Sequence, residues 1–326
     1  MFPTPRKALR MLAVLAAFGI GAAQAQEYPT KPVRIVVPYP AGGFNDTLGR
    51  LAAKHLGDYW KKPVIVDNKP GAGTMIGTKE VAGAAPDGHT ILVVQFPYAA
   101  NPWLYKNIAY DTQKAFTPVM LAGRSPMLLV THAQSPYRTA AEFLAAARAK
   151  PNVLTYGSSG AGSSNHLAMA LFENATGTQM RQIPYKGSTP MLTDLAGGQF
   201  DVALDLLPHA MPFMQMNRVR PLVIAAPKRS PLLPDVPTFK EQGINIDTGD
   251  AWTGMWAPAN APKDKLAQVQ NALKYALALP EVRETLIHKA TLNPDFRPAE
   301  EMDRLQRSEL AYWGPVIKAT GFTPEQ

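Results

Sequence analysis

Two turns rich in glycine and serine carry the residues best suited to binding an anion, and the first lies in Val33–Arg50. Its β-branched run is stopped by prolines, Gly42 and Gly43 follow, and apolar residues then recur at helical spacing. Glycine has no Cβ to block a ligand, and the first amides of a helix point outward without partners. These features indicate an anion-binding turn, but a turn that only packs between strand and helix fits this stretch equally well.

The second turn, within Thr155–Phe172, repeats this order of a short strand, a turn of glycine and serine, and a helix with one apolar face. Ser163, Ser164 and Asn165 are residue types that favour the N-terminal end of a helix. Their side chains, together with uncapped backbone amides, could bind an anion. Capping without any ligand explains the same residues, so both interpretations stay open at this point.

The serines of the second turn also raise the alternative of a hydrolase nucleophile. The nucleophile elbow of such enzymes requires the pattern GxSxG, and residues 157–161 are GSSGA, without the final glycine. His166 lies two residues after Ser164, a spacing at which helical side chains do not face each other. A partner from elsewhere in the chain could still complete a triad, so a serine hydrolase acting on a carboxylic ester is retained as the alternative function.

Cofactor and metal motifs are weak or absent in the sequence. Gly71, Gly73 and Gly77 form GxGxxxG rather than the dinucleotide fingerprint GxGxxG, and Asn-Lys-Pro separates them from the preceding strand. We therefore expect a loop that leads into a helix around Met75–Ala82, and no cofactor. The chain has no cysteine, and its six histidines lack zinc-ligand spacing, so we also expect no disulfide and no metal site.

Three further candidates follow predicted strands. In open α/β sheets, ligands bind beyond the carboxyl ends of the strands. Phe96 and Tyr98 follow Thr90–Val94 and are candidate pocket aromatics, although packing in the core fits either one as well. Asp205 follows Phe200–Leu204, and the sequence leaves open whether this carboxylate meets a ligand amine or only the sheet.

The order of the predicted elements indicates an α/β fold. Strand–turn–helix units recur along the chain and predict doubly wound sheets. A first crossing between lobes is expected at Gly123–Ser125, and a return strand is expected at Arg220–Ala226. The predicted organisation is two doubly wound lobes joined by two hinge crossings with a ligand cleft between them. Lobe 1 comprises residues 26–124 and 226–326, and lobe 2 comprises residues 125–225.

The N-terminal residues 1–25 have the pattern of a secretion signal. Basic residues come first, Met11–Ile20 is apolar but too short to span a membrane, and Ala23–Ala25 is a small-x-small cleavage site. We therefore expect export and cleavage near Ala25. Removal of this segment, which holds Arg6, Lys7 and Arg10 and no acid, would lower the formal charge from +8 (33 − 25) to +5 (30 − 25), and this mild positive charge slightly favours anionic ligands. Because the chain has no basic run with interleaved aromatics, we do not expect nucleic-acid binding.

Several motifs together resemble a known family, the Bug-type solute-binding receptors of tripartite tricarboxylate transporters. The motifs run in family order over essentially the whole mature chain. They are VVPYPAGGFND (Val36–Asp46), DNKPGAGTMIG (Asp67–Gly77), YGSSGAGSSNHLA (Tyr156–Ala168), PYKGSTPMLTDLAGGQFDV (Pro184–Val202), KRSPLLPDVPTF (Lys228–Phe239) and the C-terminal WGPVIKATG (Trp313–Gly321).

The resemblance implies a fold like that of type II periplasmic binding proteins, a periplasmic location, and delivery of small carboxylates to a permease pair in the membrane. It also implies that the turns matching Tyr39–Asp46 and Ser158–Asn165 hold the ligand carboxylate, partly through ordered water. We expect a monomer that is not an enzyme. The candidate ligand-binding residues are Tyr39, Gly42, Gly43, Phe44, Asn45, Asp46, Phe96, Tyr98, Ser158, Gly162, Ser163, Ser164, Asn165 and Asp205.

Two positions depart from the family pattern and bear on the ligand. The family usually has Pro-Thr or Pro-Ser after the two glycines, where this chain has Phe44-Asn45. Phe44 puts bulk where a small, rigid residue is usual. Together with Phe96 and Tyr98, its ring would suit an aromatic carboxylate. Asp46 would repel an anion bound beside it, so we expect its carboxylate to bond back to the first helical turn.

Overall fold

The computed structural model describes residues 28–95, 97–160, 162–246, 251–289 and 296–319. The predicted signal peptide and Phe96 lie outside the described residues. The strands are β1 (Val33–Val37), β2 (Val64–Asn68), β3 (Thr90–Gln95), β4 (Phe116–Ser125), β5 (Met127–His132), β6 (Thr155–Ser158), β7 (Arg181–Pro184), β8 (Val202–Leu206), β9 (Val219–Ala225) and β10 (Ala251–Pro258). The α-helices are α1 (Phe44–Trp60), α2 (Met75–Ala82), α3 (Pro97–Leu104), α4 (Ala140–Ala149), α5 (Ser164–Thr176), α6 (Ser188–Ala196), α7 (Leu207–Gln215), α8 (Lys263–Ala278), α9 (Pro280–Glu284) and α10 (Ala299–Ala319).

These elements form two lobes, each built on a mixed five-stranded sheet. The strand order is β2-β1-β3-β10-β4 in lobe 1 and β7-β6-β8-β5-β9 in lobe 2. In lobe 1, β1 pairs in parallel with β2 and β3, and β10 is antiparallel to its neighbours. In lobe 2, β6 pairs in parallel with β7 and β8, and β5 is antiparallel to its neighbours. The predicted fold class, two α/β lobes, is confirmed.

The side chains of β1 alternate between two apolar layers. Val33, Ile35 and Val37 belong to a buried cluster with residues of α1 and α8, whereas Val36 belongs to a second cluster with residues of α3 and α10. This alternation follows from the two-residue period of a strand. It explains why the run is apolar throughout, since both faces of the sheet are covered. The turn after β1 therefore starts from a backbone that is held from both sides.

The first crossing joins the two sheets at the edges where a ligand is expected. Because β4 is antiparallel to β10, which is antiparallel to β3, Ser125 lies at the same edge as the carboxyl end of β3. Met127 lies at the carboxyl end of β8, because β5 and β8 are antiparallel. Pro126 alone separates the two strands. The carboxyl edges of the two sheets therefore meet at this crossing, and we call the space between them the cleft.

The second crossing lies between β9 and β10. The Ile224 amide donates to Pro237 O and the Phe239 amide donates to Ile224 O, both at 2.9 Å. The chain thus packs along lobe 2 after β9 before it re-enters lobe 1 at Ala251. The residue limits given above for the lobes remain predictions.

Candidate functional site

The first turn leaves the N-terminal end of α1 open. Gly42 has a φ of +80°, a left-handed conformation that favours glycine. Gly43 is the N-cap residue of α1 and supplies no side-chain cap. The amides of the first helical turn, in Phe44, Asn45 and Asp46, therefore lack the side-chain partner that many helices provide. An anion at this end would also meet the positive pole of the helix dipole.

Asp46 holds the first turn in place. Its side chain is almost fully buried, and Oδ2 accepts hydrogen bonds from the Gly42 amide (2.8 Å) and from Arg50 Nε (2.9 Å). Burial alone would raise the pKa of this carboxyl, but the bonds from Arg50 and Gly42 outweigh it and hold the pKa below its usual range. We expected this carboxylate to bond to the first helical turn. It instead accepts from the amide of Gly42, in the turn that precedes the helix.

The second turn leaves the N-terminal end of α5 open in the same way. Gly160 and Gly162 have φ values of +124° and +68°, and the N-cap residue Ser163 makes no side-chain cap. Asn165 Oδ1 instead accepts from the Ser159 amide (2.9 Å) and lies 2.6 Å from Ser163 Oγ. These bonds fix the turn internally and leave the first amides of α5 without a side-chain cap.

Three serine hydroxyls of this turn bond to neighbouring amide side chains. Ser158 is fully buried, and its hydroxyl accepts from Gln182 Nε2 at 2.7 Å. The hydroxyls of Ser159 and Ser163 bond to Asn165. His166 Nδ1 accepts from the Gly162 amide at 3.0 Å, and burial lowers the pKa of this imidazole. Each of these three hydroxyls therefore bonds to an amide side chain rather than to histidine.

The two lobes touch beside the second turn. A Cβ built on Gly162 would lie 2.9 Å from Leu104 Cδ1 and 3.4 Å from the Tyr105 hydroxyl. The same hydroxyl overlaps a Cβ built on Gly73, in the loop that we expected only to lead into α2. Residues 71–74 of that loop all have positive φ, a conformation that costs energy at its non-glycine positions and is often found at functional sites. The loop therefore lies close to the contact between the two lobes.

Several buried polar groups on the lobe 1 side have no hydrogen-bond partner, and the sequence interpretation missed them. Gln95 Nε2 and Thr253 Oγ1 belong to directly paired residues of β3 and β10. Thr74 Oγ1 is also unpartnered. Buried polar groups normally have a partner. Gln95 could have been found from the sequence, because it is the polar residue that ends an apolar strand.

Two of the predicted aromatic ligand contacts pack elsewhere. Tyr98 is fully buried in α3, donates to Thr112 O at 2.7 Å and packs against Phe116 and Trp256. It belongs to the core, which corrects its predicted place in the pocket. Phe44 is 5% exposed and belongs to the apolar cluster beneath α1, so its ring faces the lobe interior. Tyr39 remains beside the cleft, where its hydroxyl accepts from the Gln95 amide at 3.2 Å and burial raises its pKa.

Asp205 lies at the carboxyl end of β8, at the cleft edge of lobe 2. The residue is 2% exposed. Its Oδ1 accepts from the Leu206 amide (2.8 Å), from Ser188 Oγ (3.2 Å) and lies 3.1 Å from His209 Nδ1. Its Oδ2 is buried and has no hydrogen-bond partner.

The described residues provide no grouping of three or more His, Cys, Asp or Glu side chains that could hold a metal ion. Over the same residues, none of the helices has both the length and the apolar character required to cross a membrane.

Comparison with known proteins places this arrangement in a family. The family model described as tripartite tricarboxylate transporter family receptor (TctC) matches residues 48–322. A solved R. palustris protein with adipate (Rpa4515) is 32% identical, with a TM-score of 0.85 over 92% of this chain and 100% of that one. The periplasmic binding protein BugD is 30% identical (TM-score 0.83; 91% and 100% covered). MatC from Rhodopseudomonas palustris with bound malate is 31% identical (TM-score 0.80; 89% and 100% covered).

Proposed function

The chain belongs to the receptor family of tripartite tricarboxylate transporters, and on that premise we propose that it captures a small carboxylate between its lobes for such a transporter. The observation that carries this proposal is the pair of open helix ends, α1 in lobe 1 and α5 in lobe 2, at the edges where the sheets meet. The adipate and malate in two similar structures are both carboxylates, which supports the same ligand class here.

In the proposed site, some residues bind the ligand and others hold the two turns in place. Backbone amides at the starts of α1 and α5 bind the carboxylate, directly or through water, and the glycines beside them give access. Asp46 and Asn165 hold the two turns. Gln95 and Thr253 supply buried polar groups to the rest of the ligand. The remaining predicted contacts, Ser158, Ser163, Ser164 and Asn45, line or support the two turns.

The free energy of binding requires contributions from both turns. A helix N-terminus stabilises an anion by about 0.3–1 kcal/mol, and up to about 2 kcal/mol when partly buried. Each charge-assisted hydrogen bond adds roughly 1.5–3 kcal/mol. A micromolar affinity corresponds to about −8.2 kcal/mol, after several kcal/mol of association cost. One turn cannot supply that free energy, whereas two turns on opposite lobes can.

We further propose that the receptor is periplasmic, that residues 1–25 are a signal peptide cleaved near Ala25, and that the mature chain acts as a monomer with a membrane permease pair. Support comes from the basic, then apolar, then small-residue order of the N-terminus. Solved relatives named as a periplasmic transporter and a periplasmic binding protein agree with this location.

We also propose that the protein does not catalyse a reaction. The hydroxyls of Ser158, Ser159 and Ser163 bond to amide side chains, which disfavours the alternative of a serine hydrolase. The hypothesis of an aromatic carboxylate has lost the support of Tyr98, which lies in the core.

A thermal-shift screen of aliphatic and aromatic carboxylates, followed by titration calorimetry, tests the function. We expect at least one carboxylate to raise the melting temperature and to bind with unit stoichiometry. Activated esters incubated with the protein should release no product above the rate in buffer. A protein that bound no carboxylate, or that hydrolysed an ester and lost this activity in Ser163→Ala, would require a different function.

A further inference from the structure

One buried acid at the cleft edge of lobe 2 is not needed to bind a carboxylate. Asp205 lies at the carboxyl end of β8 and pairs with Leu128 of β5, which enters lobe 2 directly from the first crossing. Its side chain is 3% exposed, and its Oδ2 is both buried and unpartnered. An acidic group is unexpected beside an anion site, because it would repel the anion, so it requires an explanation of its own.

A structural role explains half of this carboxylate. Oδ1 receives the Leu206 amide, the Ser188 hydroxyl and the His209 ring nitrogen, and Leu206 is the N-cap residue of α7. An acid near a helix N-terminus is favourable. However, all of these contacts use the same oxygen. Oδ1 alone is enough to stabilise the start of α7. This role does not explain why Oδ2 is buried without a hydrogen-bond donor.

The negative charge of Asp205 is not balanced by a permanently charged partner in the part of the chain that the structure describes. Within the part of the chain that the structure describes, its ion-pair partner is His209, a side chain that is charged only when protonated. Asp46, the other acid of the candidate site, already pairs with Arg50. A buried carboxylate normally has a paired cation. Asp205 Oδ2 therefore suits a positively charged donor, and a second anionic group beside it would be repelled.

We propose that Asp205 makes the receptor selective for carboxylates that also carry a protonated amine. The ligand carboxylate lies between the open ends of α1 and α5, and its ammonium group donates to Asp205 Oδ2. This inference rests on the proposed function and assigns the ligand class, a zwitterionic amino carboxylate rather than a plain dicarboxylate. A charge-assisted hydrogen bond of this kind is stronger than a neutral one, so the selectivity should be measurable.

Matched ligand pairs test the proposal in the wild-type protein. Titration calorimetry compares each amino carboxylate with its counterpart lacking the amine: aspartate with succinate, glutamate with glutarate, and ω-amino acids of increasing length with the plain acids. We expect the amine to tighten binding by about tenfold or more in at least one pair. Equal affinities within every pair, or a preference for the plain acids, would overturn the proposal.

The substitution Asp205→Asn tests the residue. Asparagine keeps an oxygen for Leu206 and Ser188 but removes the charge. We expect the preference for the amine to fall to less than about threefold, while the plain carboxylate binds as well as before or better. Equal weakening of both ligands would contradict the proposal, because it would indicate a structural role only. Asp235→Asn, a change of the same charge at an exposed residue of the loop after β9, should leave the preference intact.

Two further results separate the possibilities. Malate differs from succinate by a hydroxyl, so a hydroxyl that tightened binding as much as the amine would overturn the requirement for a cation. If no carboxylate of either series bound, the proposed function itself would fail. If plain carboxylates bound as tightly as their amino counterparts, the proposed function would be retained and only the inference about Asp205 would be wrong.

Discussion

Two helices of lobe 2 begin in opposite ways. At the start of α4, Thr139 Oγ1 accepts from the Glu142 amide at 3.2 Å and Glu142 Oε2 accepts from the Thr139 amide at 3.1 Å, so the end is closed by a capping box. At the start of α5, Ser163 makes no cap, and Asn165 bonds to the turn instead. The same lobe thus satisfies one helix end and leaves the other open.

An open helix end alone does not define the proposed site, because other helices lack a cap as well. α8 begins away from the cleft and also lacks a side-chain cap at Pro262. What distinguishes α1 and α5 is the turn before each helix, where glycines admit a ligand and Asp46 or Asn165 fixes the backbone. A binding end is therefore an open helix terminus held by a rigid turn and facing the other lobe.

The largest effect on affinity is expected when the open end of α1 is closed by a side-chain cap. Gly43 has an extended backbone, with φ −80° and ψ 175°, and a Cβ there would meet only Pro40 O at 3.4 Å. In Gly43→Asp, the new carboxylate should cap α1 and occupy the anion position. We expect carboxylate affinity to fall by about 100-fold or more, as measured by calorimetry, without a loss of stability.

Thr139→Asp is the matched control for this change. It introduces the same side chain at the start of α4, where a cap already exists, and alters the net charge equally. Affinity should stay within about twofold of wild type. If both variants lost affinity to the same extent, the effect would arise from overall charge and not from the open end of α1.

Removal of the cap at the start of α4 should have a smaller effect, on stability rather than on affinity. Thr139→Ala removes the cap of α4 and should lower the free energy of unfolding by about 1 kcal/mol, as measured by denaturant unfolding. Carboxylate affinity should not change, because this end faces away from the cleft. An affinity loss in Thr139→Ala would show that the closed end also contributes to binding.

Much of the fold could be predicted from local sequence. The β-branched run Val33–Val37 and the glycine-rich turns gave the strands and turns directly, since each was set by residues close in sequence. The helix α3 was missed because Pro97 and Pro102 lie within Pro97–Leu104, and prolines usually argue against a helix. That omission also misplaced Tyr98, since its burial depends on contacts with distant residues such as Gln306.

The candidate site was only partly visible in the sequence. Gly42, Gly43 and Gly162 could be predicted as turn residues because turn geometry is a local property; their contact with a ligand stays a prediction. Thr253 was missed because its place beside Gln95 depends on an antiparallel pairing across almost half of the chain. The unpartnered oxygen of Asp205 was equally hidden, since it depends on which donors reach the other oxygen.

The central claim is that the first amides of α1 and α5 hold the ligand carboxylate together. Amide chemical shifts, measured by NMR during titration with the tightest carboxylate from the screen, test it within one spectrum. We predict that amide protons at residues 44–46 and 164–166 move downfield with one common affinity, while those at residues 140–142, at the capped start of α4, stay unchanged. Shifts confined to one of the two open ends, or equally large shifts at α4, would contradict the account.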